Sequence, residues 1–440
     1  MTSTSPASPS PTAERGPTLR LSDLLKRPVA DSGGETLGRL SDVIVRLRGS
    51  DYPLVVGGVV SIGGGREVFV PLEQVSDFDG EVLKLTTAKL DLRQFERREG
   101  EVLLRADVLG HRIIDVENAR LVRPADLLLY RDGTEWVLSG VDVRRRPRRL
   151  FGLLGPEHAD NDTSAFRDWH DFEWLIGHVG SELQRSPFAR VRRLKPAQIA
   201  DLLEQASKNE ETEILGRVHA DPELEADVFE ELDEDLATRL LGARTNAEIA
   251  AVLGRMRADD AADAVAELPQ QRRQAVLDLL PPGQRTKVLT LMGFNQTSAG
   301  GLMGVDFVAV PSMATVADAL GAIRASATLQ PEALTSVHAV DSDGCLSGVA
   351  RLVTLVQSDP DRILIDVCDT DPVRVGADAD AMDVAVLMTD YNLVTIPVVD
   401  DERHMLGVIT VDDILEVTLP DDWRRREAAE PPDARHGDAR

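Results

Sequence analysis

The feature that most restricts the fold is a repeat near the C-terminal end. A strand-like run, TSVHAVD, ends at Asp341 seven residues before Gly348, and VTIPVVD ends at Asp400 seven residues before Gly407. Each glycine opens an apolar helix pattern, GVARLVTLV in the first case and GVITVDDILEV in the second. Each run is preceded by a V-x-V strand and a helix, in FVAVPSMATVADALGAI and VRVGADADAMDVAVLM. A β-α-β-β-α unit written twice within 302–419 predicts a paired α/β module, with its copies related by a pseudo-twofold axis and clefts between them.

Upstream, from about 196 to 291, the period changes. IADLLEQA, EILGRV, LEADVFEEL, LATRLL, AEIAAVLGRM, DAADAVAELP, RRQAVLDLLP and QRTKVLTLM each place apolar residues at i, i+3 and i+4. Pro222, Pro269, Pro281 and Pro282 fall near the ends of these patterns. Helices this short cannot bury a face alone, so stacking into a right-angled or superhelical array is expected, most naturally an α-solenoid.

Residues 19–80 instead alternate β-rich runs (VIVRL, LVVGGVVSI, GGGREVFVPL) with turn signals, as a small β-barrel would. A second copy follows: LLKRPVAD (24–31) parallels VLGHRIID (108–115), and Asp42-Val43 and Gly58-Val59 correspond in order to Asp126-Leu127 and Gly140-Val141. Modules over 19–100 and 101–150 are expected. Five arginines between Arg144 and Arg149 then form a basic linker, either simply solvated or docked on an acidic partner or anionic surface. The stretch 151–195 reads as linker and helix, with Trp169 and Trp174 at helical spacing in a core or domain contact. Residues 1–18 and 420–440 have the composition of a disordered lead and tail.

Charge narrows the function. The net charge of −26 argues against a nucleic-acid partner, which needs clustered Lys and Arg. Residues 1–150 hold 23 basic and 22 acidic side chains, so the remaining 26 basic and 53 acidic side chains lie after them. Those acids are either a solubilising surface or oxygen donors gathered for a hard cation. Cys345 and Cys368 form no metal-binding or disulfide pattern, and a reducing compartment is expected. No signal peptide is expected, and the longest uncharged span, Val288 to Val305, carries too many polar residues and glycines for a membrane helix. A soluble, cytoplasmic protein without a membrane span is expected.

Three resemblances follow from these motifs. The β-rich copies look like PRC-barrel modules, which implies a role in interaction or assembly with a protein partner. The C-terminal repeat resembles a tandem pair of cystathionine-β-synthase (CBS) domains, over 301–363 and 364–419. Nucleotide-binding copies of that family carry G-h-x-[ST]-x-x-D, in which the hydroxyl and carboxylate hold the ribose. The second copy has it as Gly407, Thr410 and Asp413; the first has Arg351 and Thr354 at the two polar positions. At most one ATP or AMP per pair is therefore expected, unless Asp413 simply caps a helix. A CBS pair also implies a homodimer.

The third resemblance joins these parts. A short-helix superhelix, TSAGGLM (297–303), DYNLVTIPVVDD (390–401) and GVITVDDILEV (407–417) are similar to the cytosolic part of MgtE-type magnesium channels. In that family magnesium is clamped between the helical domain, here 196–300, and the CBS pair. The resemblance implies metal-site roles for Asp227, Asp259, Asp263, the backbone of Gly301, Asp380, Asp413 and Glu416. Asp259 and Asp263, at i and i+4, share a helix face, where like charges repel unless a cation lies between them; the plainer reading is a solvated face. Two further family positions are acidic there but are Met382 and Asn392 here. No pore is expected in this chain. The readings are thus a magnesium-responsive regulator, an adenine-nucleotide sensor or a non-catalytic adaptor. An enzyme is not expected, since no P-loop, nucleophile elbow, HExxH or complete His/Cys set occurs.

Overall fold

The computed structural model describes residues 17–49, 51–86, 93–98, 100–144, 166–175, 190–326 and 331–419. They divide into two compact units, Met1–Asp233 and Glu234–Arg440. The class is α+β, as the sequence predicts.

In the first unit, strands β1 (Thr18–Arg20), β2 (Pro28–Ala30), β3 (Thr36–Arg48), β4 (Asp51–Ile62), β5 (Arg66–Pro71), β6 (Val75–Asp77) and β7 (Leu83–Leu85) come from the first copy. The second copy supplies β8 (Glu101–Leu103), β9 (Ile113–Asp115), β10 (Arg120–Val122), β11 (Asp126–Asp132), β12 (Glu135–Asp142), β13 (Arg167–Asp168) and β14 (Phe172–Trp174). The copies are not separate barrels. They share one sheet in the order β1-β11-β12-β4-β3-β2-β7-β6, with β13, β5 and β8 attached to β12, β4 and β3, while β10-β9-β14 form a small second sheet.

The copies also exchange their first elements. β1 pairs with β11, Leu19 opposite Leu129, and β8 pairs with β3, Ile44 opposite Leu103. The helical turn after each exchanged strand, Leu21–Leu24 or Leu104–Leu109, is capped by a buried aspartate of the other copy. Asp42 accepts the N–H of Arg105 at 2.7 Å and of Ala106 at 3.0 Å, and Asp126 accepts the N–H of Ser22 at 3.1 Å and its hydroxyl. Leu21, Leu24, Val43, Leu104, Val108 and Leu127 meet in one core cluster.

The segment 166–175 departs from the helical expectation. It is strand, 3₁₀ turn (Trp169–Asp171) and strand, with β13 on β12 and β14 on β9, so it completes the second copy. Asp168 enforces the turn by accepting the N–H of His170 at 2.8 Å. Trp169 and Trp174 are buried and stack with ring centroids 3.9 Å apart, a core contact reached without a helix. The basic linker and the 1–18 and 420–440 termini lie wholly or almost wholly outside the described residues.

The short amphipathic patterns all become helices. Pro196–Gln205, Lys208–Val218 and Pro222–Glu230 belong to the first unit; Glu234–Gly242, Asn246–Leu253, Ala258–Glu267, Gln270–Leu277 and Pro282–Leu291 belong to the second. Pro196, Pro222 and Pro282 sit in first turns, where a missing N–H costs nothing. Ser207 with Glu210 and Thr245 with Glu248 form capping boxes that restart the array after each break.

The C-terminal repeat folds as two matching three-stranded sheets. β15 (Ala309–Pro311) runs parallel to β16 (Ser336–Val340), which pairs antiparallel with β17 (Leu346–Arg351). β18 (Val375–Gly376), β19 (Thr395–Val399) and β20 (Met405–Thr410) repeat that order. Both hairpins shift register at the same place, between Ala339 and Val340 and between Val398 and Val399. Equivalent residues meet across the pseudo-twofold axis: the Ser336 and Thr395 hydroxyls are 2.7 Å apart, and Cys345 bridges His404.

Candidate functional site

The second unit brings the helix Ala258–Glu267 against the second copy of the C-terminal repeat. Two elements position the contact. The first is the junction: in Ala299–Leu302 the N–H groups of Ala299 and Gly300 bond to the carbonyls of Ala379 and Ala377 at 2.9 and 2.8 Å, and Gly304 and Val408 exchange two 2.9 Å bonds. Glycine is required here, because a Cβ on Gly301 would stand 2.2 Å from the Asn295 carbonyl oxygen and one on Gly407 2.7 Å from the Gly304 oxygen. The second is the helix Val411–Thr418, whose first turn carries Asp412 and Asp413.

Between these elements lies a cluster of acids around one guanidinium. Arg257 Nε reaches Asp260 at 2.6 Å, Nη1 reaches Asp413 at 3.0 Å and Nη2 lies 3.9 Å from Glu416. Asp259 and Asp413 are 8% and 6% exposed. Burial, then the Asp260 and Asp413 charges, push Asp259 well above the ordinary carboxylate range, against the pull of Arg257. Burial also raises Asp413, opposed by the Thr410 N–H and hydroxyl and by Arg257. Both shifts favour the protonated acid, as expected of carboxyls crowded together out of water around a single countercharge.

The other expected site residues are spread more widely. Asp263 is exposed and accepts a hydrogen bond from Gln296 at 2.8 Å; its charged neighbours are Glu234 and Glu267, so it keeps different company from Asp259. Asp380 is exposed and caps the helix Ala381–Asp390 through the Met382 N–H at 2.8 Å. Asp227 lies on Pro222–Glu230 in the first unit, and is exposed there. Met382 is 57% exposed, and Asn392 takes a left-handed φ of 52°, a conformation asparagine tolerates.

The ribose-type motif is engaged within the chain. Thr410 Oγ1 bonds Asp413 at 2.8 Å and Asp412 at 2.5 Å, its N–H donates to Asp413 at 2.9 Å, and Asp413 holds Arg257. Gly407 lies against Met303 and Gly304. The helix-capping role of Asp413 is thus realised.

Sequence reasoning missed two features. Arg257, a cation, has no place in a pattern of oxygen ligands; its position three residues before Asp260 is the signal that the sequence carries. Asp400, Glu402 and His404 gather in the β19–β20 turn with donor atoms within 4.8 Å of one another, a spacing of i, i+2, i+4 legible in DDERH. Asp400 spends both oxygens there on the His404 N–H and ring nitrogen, at 2.7 and 2.9 Å.

Comparison with known proteins follows this division. Residues 194–297 match the MgtE intracellular N domain, 364–419 a CBS domain and 17–91 a PRC-barrel domain. The helical array and CBS pair are related to the cytosolic region of MgtE-type magnesium transport proteins. The magnesium transporter MgtE of Thermus thermophilus is 34% identical over 187 residues, 41% of each chain, and that of Bacillus subtilis is 25% identical over 193 residues, 44% of this chain and 43% of that one. The chain spans less than half the length of these curated relatives. Among solved structures, the cytosolic domain of the Mg2+ channel MgtE in complex with ATP is 29% identical, with a TM-score of 0.49, covering 52% of this chain and 92% of that one. The soluble part of a magnesium transporter is 25% identical at the same TM-score, covering 54% and 92%. Among the described residues no helix is long and apolar enough to cross a membrane.

Proposed function

We propose that this protein is a non-catalytic, soluble, cytoplasmic regulator that responds to magnesium at the contact between its helical array and its second CBS unit. The observation that carries this reading is the excess of acid there: Asp259, Asp260, Asp413 and Glu416 surround a single guanidinium. Carboxylate oxygens are the donors a hard divalent ion takes, and magnesium binds through one or two of them while keeping its waters. Binding there offsets mutual repulsion and favours the closed contact; a cation that binds both states equally shifts nothing. Asp263 and Asp380, which are exposed, are available to outer-sphere waters. The PRC-barrel-like copies pass the state to a protein partner, and the apolar residues Val353, Val356, Met382, Val386 and Val394, about half exposed or more on the CBS pair, support a homodimer.

The test is a magnesium titration followed by solution scattering and limited proteolysis. Millimolar magnesium is expected to compact the wild type and protect the region around 258–267, and to do neither in an Asp259→Ala, Asp263→Ala variant. An unchanged scattering radius and cleavage pattern in the wild type overturns the reading. The alternative, an ATP or AMP sensor, has less support, because Thr410 and Asp413 already hold each other and Asp413 also holds Arg257.

A further inference from the structure

Arg257 is oddly placed for a residue that serves its own helix. It stands at the N-cap of Ala258–Glu267 and makes no side-chain cap bond. An arginine there offers no acceptor to the free N–H groups, and its charge opposes the positive end of the helix dipole. What it gains is across the contact. Its Nε holds Asp260 on its own helix while Nη1 holds Asp413 on the helix Val411–Thr418, 156 residues away, and Nη2 approaches Glu416. Its side chain is 24% exposed and that of Asp413 5%, so the bridge is largely withdrawn from water.

We propose that Arg257 is a built-in counter-cation: a tethered positive charge that holds the contact between the helical array and the second CBS unit part-closed in divalent-free solution. The guanidinium does with a covalent tether what a free ion does by mass action. The fork geometry suits this, since three nitrogens address three carboxylates. It also grades the response, because the contact keeps a net negative charge with Arg257 in place, and a divalent ion adds to a part-neutralised cluster rather than to a bare one. This last consequence rests on the magnesium reading; the tether itself does not.

The experiment is hydrogen exchange on the full chain, following peptides that contain 258–267 and 411–418, in chelator and in millimolar magnesium. Wild type is expected to be part-protected in chelator, with magnesium raising that protection further. In Arg257→Gln these peptides exchange roughly tenfold or more faster in chelator, because buried carboxylates lose their counter-charge. The double variant Arg257→Gln, Asp413→Asn, which removes one charge of each sign, is expected to recover most of the protection. That separates lost charge from a damaged helix. Arg257→Gln protected like wild type in chelator overturns the proposal, as does a double variant that exchanges as fast as the single one. Magnesium restoring protection to Arg257→Gln supports the proposal and the magnesium reading together. An open Arg257→Gln that magnesium leaves open supports the tether and counts against the magnesium reading alone.

Discussion

Two pairs of buried aspartates, Asp42 with Asp126 and Asp259 with Asp413, are satisfied by different means. In the β-rich region Asp42 and Asp126 accept main-chain N–H groups of the partner copy. In the second unit Asp413 meets a guanidinium at the end of a long side chain, and Asp259 lies close enough for that charge to act on it. A main-chain donor is fixed by the fold and leaves only when the strand does. A guanidinium is held by rotamers and can be traded for another cation without unfolding anything. The first arrangement makes an acid a permanent fastener, and the second makes it a variable contact.

That contrast is easiest to break at Asp126. Asp126→Ala strands the Ser22 and Leu127 donors, and we expect a loss of about 3 kcal/mol in denaturant unfolding of the β-rich region, with no rescue by any cation. The next effect is a pH dependence. Burial pushes the Asp42 carboxyl up to about 6, with three N–H groups pulling it down, whereas its ordinary value is 3.8. A carboxyl raised in the folded state stabilises most below its unfolded value and loses that contribution as pH rises through about 6. The wild type should therefore lose about 2 to 3 kcal/mol relative to Asp42→Asn between about pH 4 and about pH 7.5, measured by denaturant midpoints. Equal pH slopes for the two proteins would show that Asp42 is not the titrating group. The smallest effects lie at the variable contact. Asp413→Ala is expected to cost about 2 kcal/mol, since it removes the Thr410 cap and the partner of Arg257. Asp263→Ala is expected to change unfolding by less than about 0.5 kcal/mol, since the side chain is exposed.

The CBS pair is legible as two equivalent units because its signal is internal. Two hairpins written 59 residues apart, from Ser336 to Thr395, must share a bulge if they share a sequence pattern, and they do. The barrel copies were legible as copies but not as a merged sheet. β1 and β8 are three-residue strands whose apolar residues suit either copy's neighbour equally, so sequence cannot say which partner wins. Asp42 and Asp126 stood out as a matched pair; that each caps the other copy's turn depends on three-dimensional closure. The spacing of Trp169 and Trp174 misled because a 3₁₀ turn running into a strand brings residues five apart together as well as a helix would. At the acidic contact, Asp259 and Asp413 were found by resemblance, while Asp263 and Asp380 proved to face outward.

The exchange of first strands has a consequence for where the barrel can be divided. A polypeptide carrying only the 17–91 segment would keep β1 and its helical turn but lack β11 to pair the strand and Asp126 to cap the turn, while its own Asp42 and the free edge of β3 would await β8. Each half therefore displays what the other half lacks, and two identical halves would complete one another as an interlocked pair. The duplication reads as that pair threaded onto a single chain, where the linking segment replaces concentration as the force that holds the halves together.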